Sequence, residues 1–449
     1  MDNSKQATLE LGTKPVGKLL MQYALPAIAA MTAASLYNMT DSIFIGQGCG
    51  ALAISGLAIT FPLQNLGAAF GAGVGVGAST CISVKLGQKD YQTAERVFGN
   101  AVTLNLIIGI AFSIITLLFL NPILKFFGAS DATLPYAREY MVVTLAGNVI
   151  SHMFFGMNAI LRAASKPRSA MMASIMTVIL NAILSPIFIW PLHMGIRGAA
   201  LATIIAQFCV LMWQLRIFSN PQCIVHFKRG IYRPVKHIIK NIIAIGMSPF
   251  AMNVCSCIII IFINNALTHH GGDLAVGAFG ICNKIVFIFV MINMGMNQGM
   301  FPIAGYNYGA HNYDRLITVL KYTMVIAFCI TTLGWIVAQT LPYECAQLFT
   351  TDETLIKIAE RAIRITMLVF PVVGIQMVCT GFFQSIGKAK VSMLLSLSRQ
   401  LLFFLPMLLI LPNFYQVDGV WMAQPISDVI SVVVAVVMLT NYIKKLKTT

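Results

Sequence analysis

Charge is what this sequence is short of. Lys and Arg number 30 and Asp and Glu 15 among 449 residues, while apolar residues make up 58%. That balance excludes a soluble domain of this size and leaves long uncharged runs that belong in lipid. The signatures of several chemistries are missing as well. No GxxxxGK[ST] phosphate loop occurs and no soluble domain is appended, so ATP hydrolysis gives way to an ion gradient as the energy source. No HExxH and no cluster of paired His and Asp residues occurs, which disfavours a membrane-embedded enzyme; the reading is of a protein that is not an enzyme and carries no cofactor. Ten cysteines are scattered without a CxxC pair or zinc spacing, and Cys255 and Cys257 sit about 200° apart on a helix, so they read as small apolar fillers. The first fourteen residues are polar and the apolar stretch after them is long enough to span, which predicts an uncleaved first helix in place of a signal peptide.

What is present is apolar length, repeated. A spanning helix needs about 20 mostly apolar residues, and such runs lie near 17–45, 51–83, 98–120, 138–161, 169–192, 198–218, 238–267, 274–304, 317–341, 360–385, 391–412 and 417–441. The prediction is an all-α polytopic membrane protein of twelve transmembrane helices in two pseudo-symmetric six-helix lobes. The halves match in one register: Leu52 and Ala53 answer Leu274 and Ala275, Gly87 and Tyr91 answer Gly309 and Tyr313, Lys166 and Met171 answer Lys388 and Met393, always 222 residues on. Two parallel copies meeting around a central cavity is a transporter design, because rocking opens the cavity to each side in turn. The expected division is an N-lobe at 1–218, a polar cytoplasmic linker at 219–237 with Lys228, Arg229 and Arg233, and a C-lobe at 238–449.

Positive charge orients the helices, since Lys and Arg of short loops collect on the cytoplasmic side. With both termini inside, 22 of the 30 basic residues fall in inner segments and six in outer ones, leaving Lys284 and Arg399 within spans. The net charge of +15 is dispersed over many short loops, so it reports orientation and contact with anionic membrane lipids, not nucleic acid. A multi-pass monomer in a cytoplasmic membrane is expected.

Ionisable groups at a helix centre cost about 2.5–3.5 kcal/mol on insertion scales, and only Asp41, Lys284, Arg399 and Asp428 incur that cost. Asp41 shares a helix face with Tyr37 and Asn38. Pro26, fifteen residues earlier, removes a backbone hydrogen bond and supplies a kink. The predicted topology places Asn181 of the fifth helix and Thr203 of the sixth at the depth of Asp41. A carboxylate with amide and hydroxyl oxygens suits sodium; a desolvated carboxylate alone carries a proton. The alternative is a buried Asp bonded to its neighbours, with Asn181 and Thr203 in ordinary interhelical bonds. In the second half, Lys284, Arg399 and Asp428 lie at matching depths and form an expected polar network, with Gln376, Gln384 and Gln400 as further members; a structural clamp is the favoured reading over coupling or substrate contact. No metal is expected beyond a sodium ion at Asp41.

Gly71, Gly73, Gly75 and Gly77 imitate a phosphate loop but lie inside an apolar span with no strand before them, so close helix packing is the expectation. Their counterparts in the second half include Asn293, Asn297 and Gly299. His152 is a lone histidine on the fourth helix, more simply packing than titrating. The 25 Met and 28 Phe residues supply a soft wall for greasy aromatic compounds; Tyr37, Phe61, Phe154, Met157 and Gln376 are candidates to line it.

At this point LPAIAAMTAASLYNMTDSIFIGQ (25–47), LAITFPLQNLGAAFGAGVGVGAS (57–79), RAASKPRSAM (162–171), NAILSPIFI (181–189) and FTTDETL (349–355) resemble the multidrug and toxic compound extrusion (MATE) family, in its bacterial MepA-like and DinF-like branches. The resemblance covers nearly the whole chain. It implies a twelve-helix, two-lobe fold working by alternating access, and export driven by sodium or protons with the cation role on Asp41, Asn181 and Thr203. Related sequences commonly carry NxxxD in the fifth helix where this chain has Asn181 followed by Ser185; one carboxylate fewer weakens a sodium site and shifts weight to a proton on Asp41. Family members that couple through the C-lobe carry acidic residues in helices seven and ten, and none occurs in those spans here. The expected function is a cation-coupled (H+ or Na+) antiporter exporting amphipathic, often cationic drugs. Flipping of a lipid headgroup, or export of one specific metabolite, is the alternative, since fold does not fix cargo.

Overall fold

An apolar run in lipid satisfies its backbone by closing every hydrogen bond within itself, so it folds as a helix. The chain, seen in a computed structural model, is described except for residues 1, 2, 50, 350, 351 and 449; the side chains of 3–5, 7, 34, 36–43, 46, 47, 51, 52, 54, 55, 58, 273, 447 and 448 also lie outside the description. Among the described residues there are helices and turns and no strand.

The first half runs α1 (Asn3–Thr13), α2 (Val16–Cys49), α3 (Ala51–Gly87), α4 (Tyr91–Leu118), α5 (Leu120–Phe126), α6 (Leu134–Ala146), α7 (Asn148–Ala163), α8 (Pro167–Ile189) and α9 (Gly195–Phe218). The second runs α10 (Lys236–Gly309), α11 (Tyr313–Thr340), α12 (Pro342–Gln347), α13 (Glu353–Thr366), α14 (Phe370–Ser385), α15 (Ala389–Leu397), a π-helical turn (Ser398–Phe404), α16 (Leu405–Ile410) and α17 (Pro412–Thr448). Among the described residues nine helices are long and apolar enough to cross a membrane, and two bent pairs, α6 with α7 at 58° and α13 with α14 at 55°, add one broken span each. The 34-residue α2 supplies the remaining long apolar helix. The expected seventh and eighth helices follow each other through a single residue, Gly272, whose φ of 67° is open to glycine and strained for most other residues.

Helix faces are apolar on both sides, as a membrane requires. Ile107, Ile110, Ile114 and Leu118 form an exposed stripe along α4 at spacings of three and four, while Val97, Ala101, Leu104 and Ser113 of the same helix are buried. At the polar end, Asp90 caps α4 by accepting from the Thr93 amide at 3.1 Å. The Thr93 side chain, ahead of the backbone amide and Lys85, holds the Asp90 carboxyl below the usual carboxylate range. The cap therefore contributes fully above that range and fades as pH falls through the lowered value.

Contacts gather the chain into two units. Unit 1 holds Met1–Lys14, Ala29–Phe250 and Gly305–His311; unit 2 holds Pro15–Ile28, Ala251–Ala304 and Asn312–Thr449. α2 thus passes from unit 2 to unit 1, and α10 passes from unit 1 to unit 2 and back; the three changes fall near Pro26 in α2 and near Pro249 and Pro302 in α10. Within unit 1 the first residues of α10 lie on α3, and the glycine run explains how. Residues two apart on a helix point about 200° apart, so Gly73 and Gly77 face α10 while Gly71 and Gly75 face α7. A Cβ on Gly77 would land on the Ile242 carbonyl oxygen, and one on Gly73 would come 3.1 Å from that of Gly246. On the other face, Gly71 lies against the His152 backbone and Gly75 against Gly156, each at 2.9 Å from an added Cβ. The glycines are a packing device, as the sequence predicts.

Unit 2 repeats the device. Gly295 and Gly299, 222 residues on from Gly73 and Gly77, take the Ile28 and Ala24 backbones of α2 at 2.6 and 2.5 Å from an added Cβ. On the other face the partners have traded sizes: where unit 1 sets Gly75 against Ala159, unit 2 sets Asn297 against Gly381, with the Asn297 oxygen 3.1 Å from an added Cβ. In sequence, Gly71 and His152 correspond to Asn293 and Gly374, and an added Cβ on Gly374 would meet Ala327 and Thr331 of α11. Interaxial space is conserved while the side chain that fills it changes helix. The linker is tied to unit 1: Asn100 donates to the Ile231 and Arg233 carbonyls and accepts from the Val235 amide at 2.8 Å, and Lys228 reaches Glu95 at 2.7 Å.

Candidate cation-coupling site

Three of the nominated residues meet in unit 1. Asn181 lies midway along α8, Ser185 one turn further on, and Thr203 on α9, which returns antiparallel after the short turn at 190–194. Asn181 is 2% exposed and Ser185 0%. The Asn181 Nδ2 donates to Thr203 Oγ1 at 3.0 Å, Ser185 Oγ donates to Asn181 Oδ1 at 3.2 Å, and Thr203 Oγ1 passes its proton to the Ala199 carbonyl at 3.1 Å. Both ends of the amide are therefore oriented, which fixes its oxygen toward Ser185 and its nitrogen toward Thr203.

The cluster offers hard oxygen donors of the kind that sodium uses and contains no charge of its own. A cation held there needs a carboxylate. Asp41, with Asn38 and Tyr37, is on α2, but these three side chains lie outside the described residues. Among the described residues no group of three or more His, Cys, Asp or Glu converges as a metal site.

The other nominated residues separate. Phe61 is exposed, whereas Phe154 and Met157 are buried, Phe154 in a small core with Ala173 and Val210. Gln376 is buried on α14 and donates to Thr380 at 3.4 Å. In unit 2, Arg399 donates through Nε to Asp428 Oδ1 at 2.8 Å. Lys284 stands apart from that pair, with its ammonium 5.3 Å from the centre of the Phe349 ring. Gln400 reaches Ser256 at 2.9 Å. Pro26 is carried inside a continuous α2, and His152 is fully buried with Gly71 and Gly109 making room for it. One member escaped the sequence reading: Gln424 donates to both Asp428 oxygens at 3.1 Å. Its position one turn before Asp428 was the available signal.

Known proteins place the chain as a whole. The chain is 27% identical over 413 residues to the multidrug export protein MepA of Staphylococcus haemolyticus (strain JCSC1435), covering 92% of this chain and 91% of that one. A MATE protein crystallised in complex with MaL6 superposes with a TM-score of 0.92 at 26% identity, over 98% of this chain and 99% of the other. A Pyrococcus furiosus transporter of the MOP superfamily, described as having a binding pocket of reverse polarity that suggests a different function, gives 0.92 at 26% identity over 98% of both chains. The MatE family model matches residues 26–187 and 246–410, and with both repeats matched and the helices in place the chain belongs to the MatE family of membrane transporters.

Proposed function

We propose that the chain is an antiporter that exports amphipathic, often cationic compounds across a bacterial cytoplasmic membrane by alternating access, in exchange for H+ or Na+. The observation that supports this reading is the Asn181–Ser185–Thr203 relay, a preoriented set of neutral oxygens with Asn181 and Ser185 buried, to which a cation site adds one negative charge. Asp41 supplies that charge, and Asn38 shares its helix face. Exchange follows if cation and cargo prefer different conformations, since a ligand that binds both states equally shifts neither. The crossing helices α2 and α10, with a proline near each change of unit, are suited to such a change of shape. Both termini lie in the cytoplasm, the protein works as a monomer, and the cavity draws on Tyr37 and Phe61.

Ser185 decides the ion in this reading. With a hydroxyl in place of a second carboxylate, the site carries one negative charge, which favours a proton on Asp41 over a firmly held sodium. Efflux of a lipophilic cationic dye from cells should then follow the proton gradient and change less than about twofold on removing sodium. Ser185→Asp restores the charge and should make efflux sodium-stimulated by about tenfold, the effect of roughly 1.4 kcal/mol of added cation affinity. Wild-type efflux that stops without sodium contradicts the proton assignment, and a wild type that moves no dye contradicts the cargo.

A further inference from the structure

Arg399 has more hydrogen-bonding capacity than the protein around it uses. It is the eleventh residue of the 22-residue span Ala389–Ile410, so at about 1.5 Å per residue it lies roughly 15 Å from either end, in the middle of an apolar layer about 30 Å thick. Snorkelling, which rescues Lys and Arg near helix ends, does not reach the interface from there. Its side chain is nonetheless 23% exposed, while that of Asp428 is 4% exposed. Asp428 engages only Nε, one of five N–H donors on the guanidinium. Among the described residues the two Nη nitrogens have no hydrogen-bond partner, carboxylate or ring.

The arrangement is built and braced. Arg399 sits in the π-helical turn Ser398–Phe404. Pro406 follows, and it donates no hydrogen bond and crowds the carbonyl one turn back. The wider turn relieves that conflict and re-aims the side chains on it. Asp428 in turn is pinned by Gln424 through both carboxylate oxygens. A guanidinium held along its Nε edge presents the Nη edge as two donors in one plane, which matches two oxygens of a carboxylate or phosphate.

We propose that Arg399 is an oxyanion-binding site in unit 2 that takes a carboxylate or phosphate group of the cargo, with Asp428 and Gln424 as its positioning residues. The proposal rests on the reading of the chain as an exporter of amphipathic compounds and extends that cargo to compounds bearing an acidic group. The group arrives either on a soluble amphipath or on a lipid headgroup.

Binding tests this without transport, so its failure leaves the coupled-export reading standing. Purified protein in nanodiscs of phosphatidylcholine is titrated with dansylglycine and with dansylglycine methyl ester, read by fluorescence anisotropy. The wild type should bind the acid at least tenfold more tightly than the ester. Arg399→Gln should bring the acid down to the ester's affinity while leaving the ester unchanged, and Arg399→Lys should restore part of the preference. Because Arg399→Gln strands a buried carboxylate, the double variant Arg399→Gln/Asp428→Asn is measured beside it, with the same loss expected and thermal melting as the check on folding. Equal binding of acid and ester by the wild type, or a preference that survives in both variants, overturns the proposal. Repeating the titration with phosphatidylglycerol in the disc identifies the source: competition in the wild type alone marks a lipid phosphate as occupant, and no competition marks a soluble acid.

Discussion

Replacing Gly77 by valine should leave almost no folded protein in the membrane. The added Cβ falls on the Ile242 carbonyl oxygen, which is backbone on a neighbouring helix and has no rotamer to yield. Overpacking that side chains can absorb costs about 1–3 kcal/mol; moving a helix axis costs more, against a total stability of about 5–15 kcal/mol. A loss of at least tenfold in detergent-extractable, monodisperse protein is expected. Gly280→Ala is the control, because nothing lies within 4 Å of its added Cβ, and it should match the wild type. Fluorescence-detected size exclusion of tagged variants reads both. A Gly77→Val protein that elutes like the wild type contradicts the packing of α10 on α3 within unit 1.

Asn181→Leu should fold and fail to export. The substitution leaves Ser185 Oγ and Thr203 Oγ1 without the amide that joins them, at a stability cost of about 1–3 kcal/mol for the groups deprived of a partner. Both hydroxyls can turn back to carbonyls of their own helices, as Thr203 already does to Ala199, so the fold survives. The oriented oxygens do not. Dye efflux at matched membrane abundance should fall at least tenfold, and Asn181→Gln, which keeps the amide but moves it by one methylene, should fall between the two. Wild-type efflux by Asn181→Leu removes the cluster from the coupling mechanism.

Much of the fold was legible because lipid imposes one rule on every span. Length and apolarity located the helices, and the 222-residue register exposed the repeat, down to Gly73 and Gly77 reappearing as Gly295 and Gly299. The breaks inside the fourth and tenth expected helices are marked only by Gly147 and by Pro371 at the start of α14, each inside an otherwise continuous apolar run. The changes of unit within α2 and α10 were not visible, since they depend on which backbone each glycine face receives. At the site, equal depth grouped Asn181 with Thr203, and the resemblance added Ser185; these three side chains are hydrogen-bonded to one another. Equal depth did not hold Lys284 beside Arg399 and Asp428, because depth leaves the direction around the helix axis free: the Lys284 ammonium lies over Phe349. Phe154 and Met157 show the same gap, apolar residues of cavity type that turned into the core.

The central claim is that one carboxylate on α2 completes the Asn181 cluster and couples export to a cation. It is tested most directly by reconstituting wild type and Asp41→Asn in liposomes at equal density and imposing proton or sodium gradients in separate runs. Uptake of a lipophilic cationic dye is then followed against each gradient. The account predicts wild-type transport driven by the proton gradient and at least a tenfold loss in Asp41→Asn, with dye binding retained. Undiminished, gradient-driven transport by Asp41→Asn would contradict it.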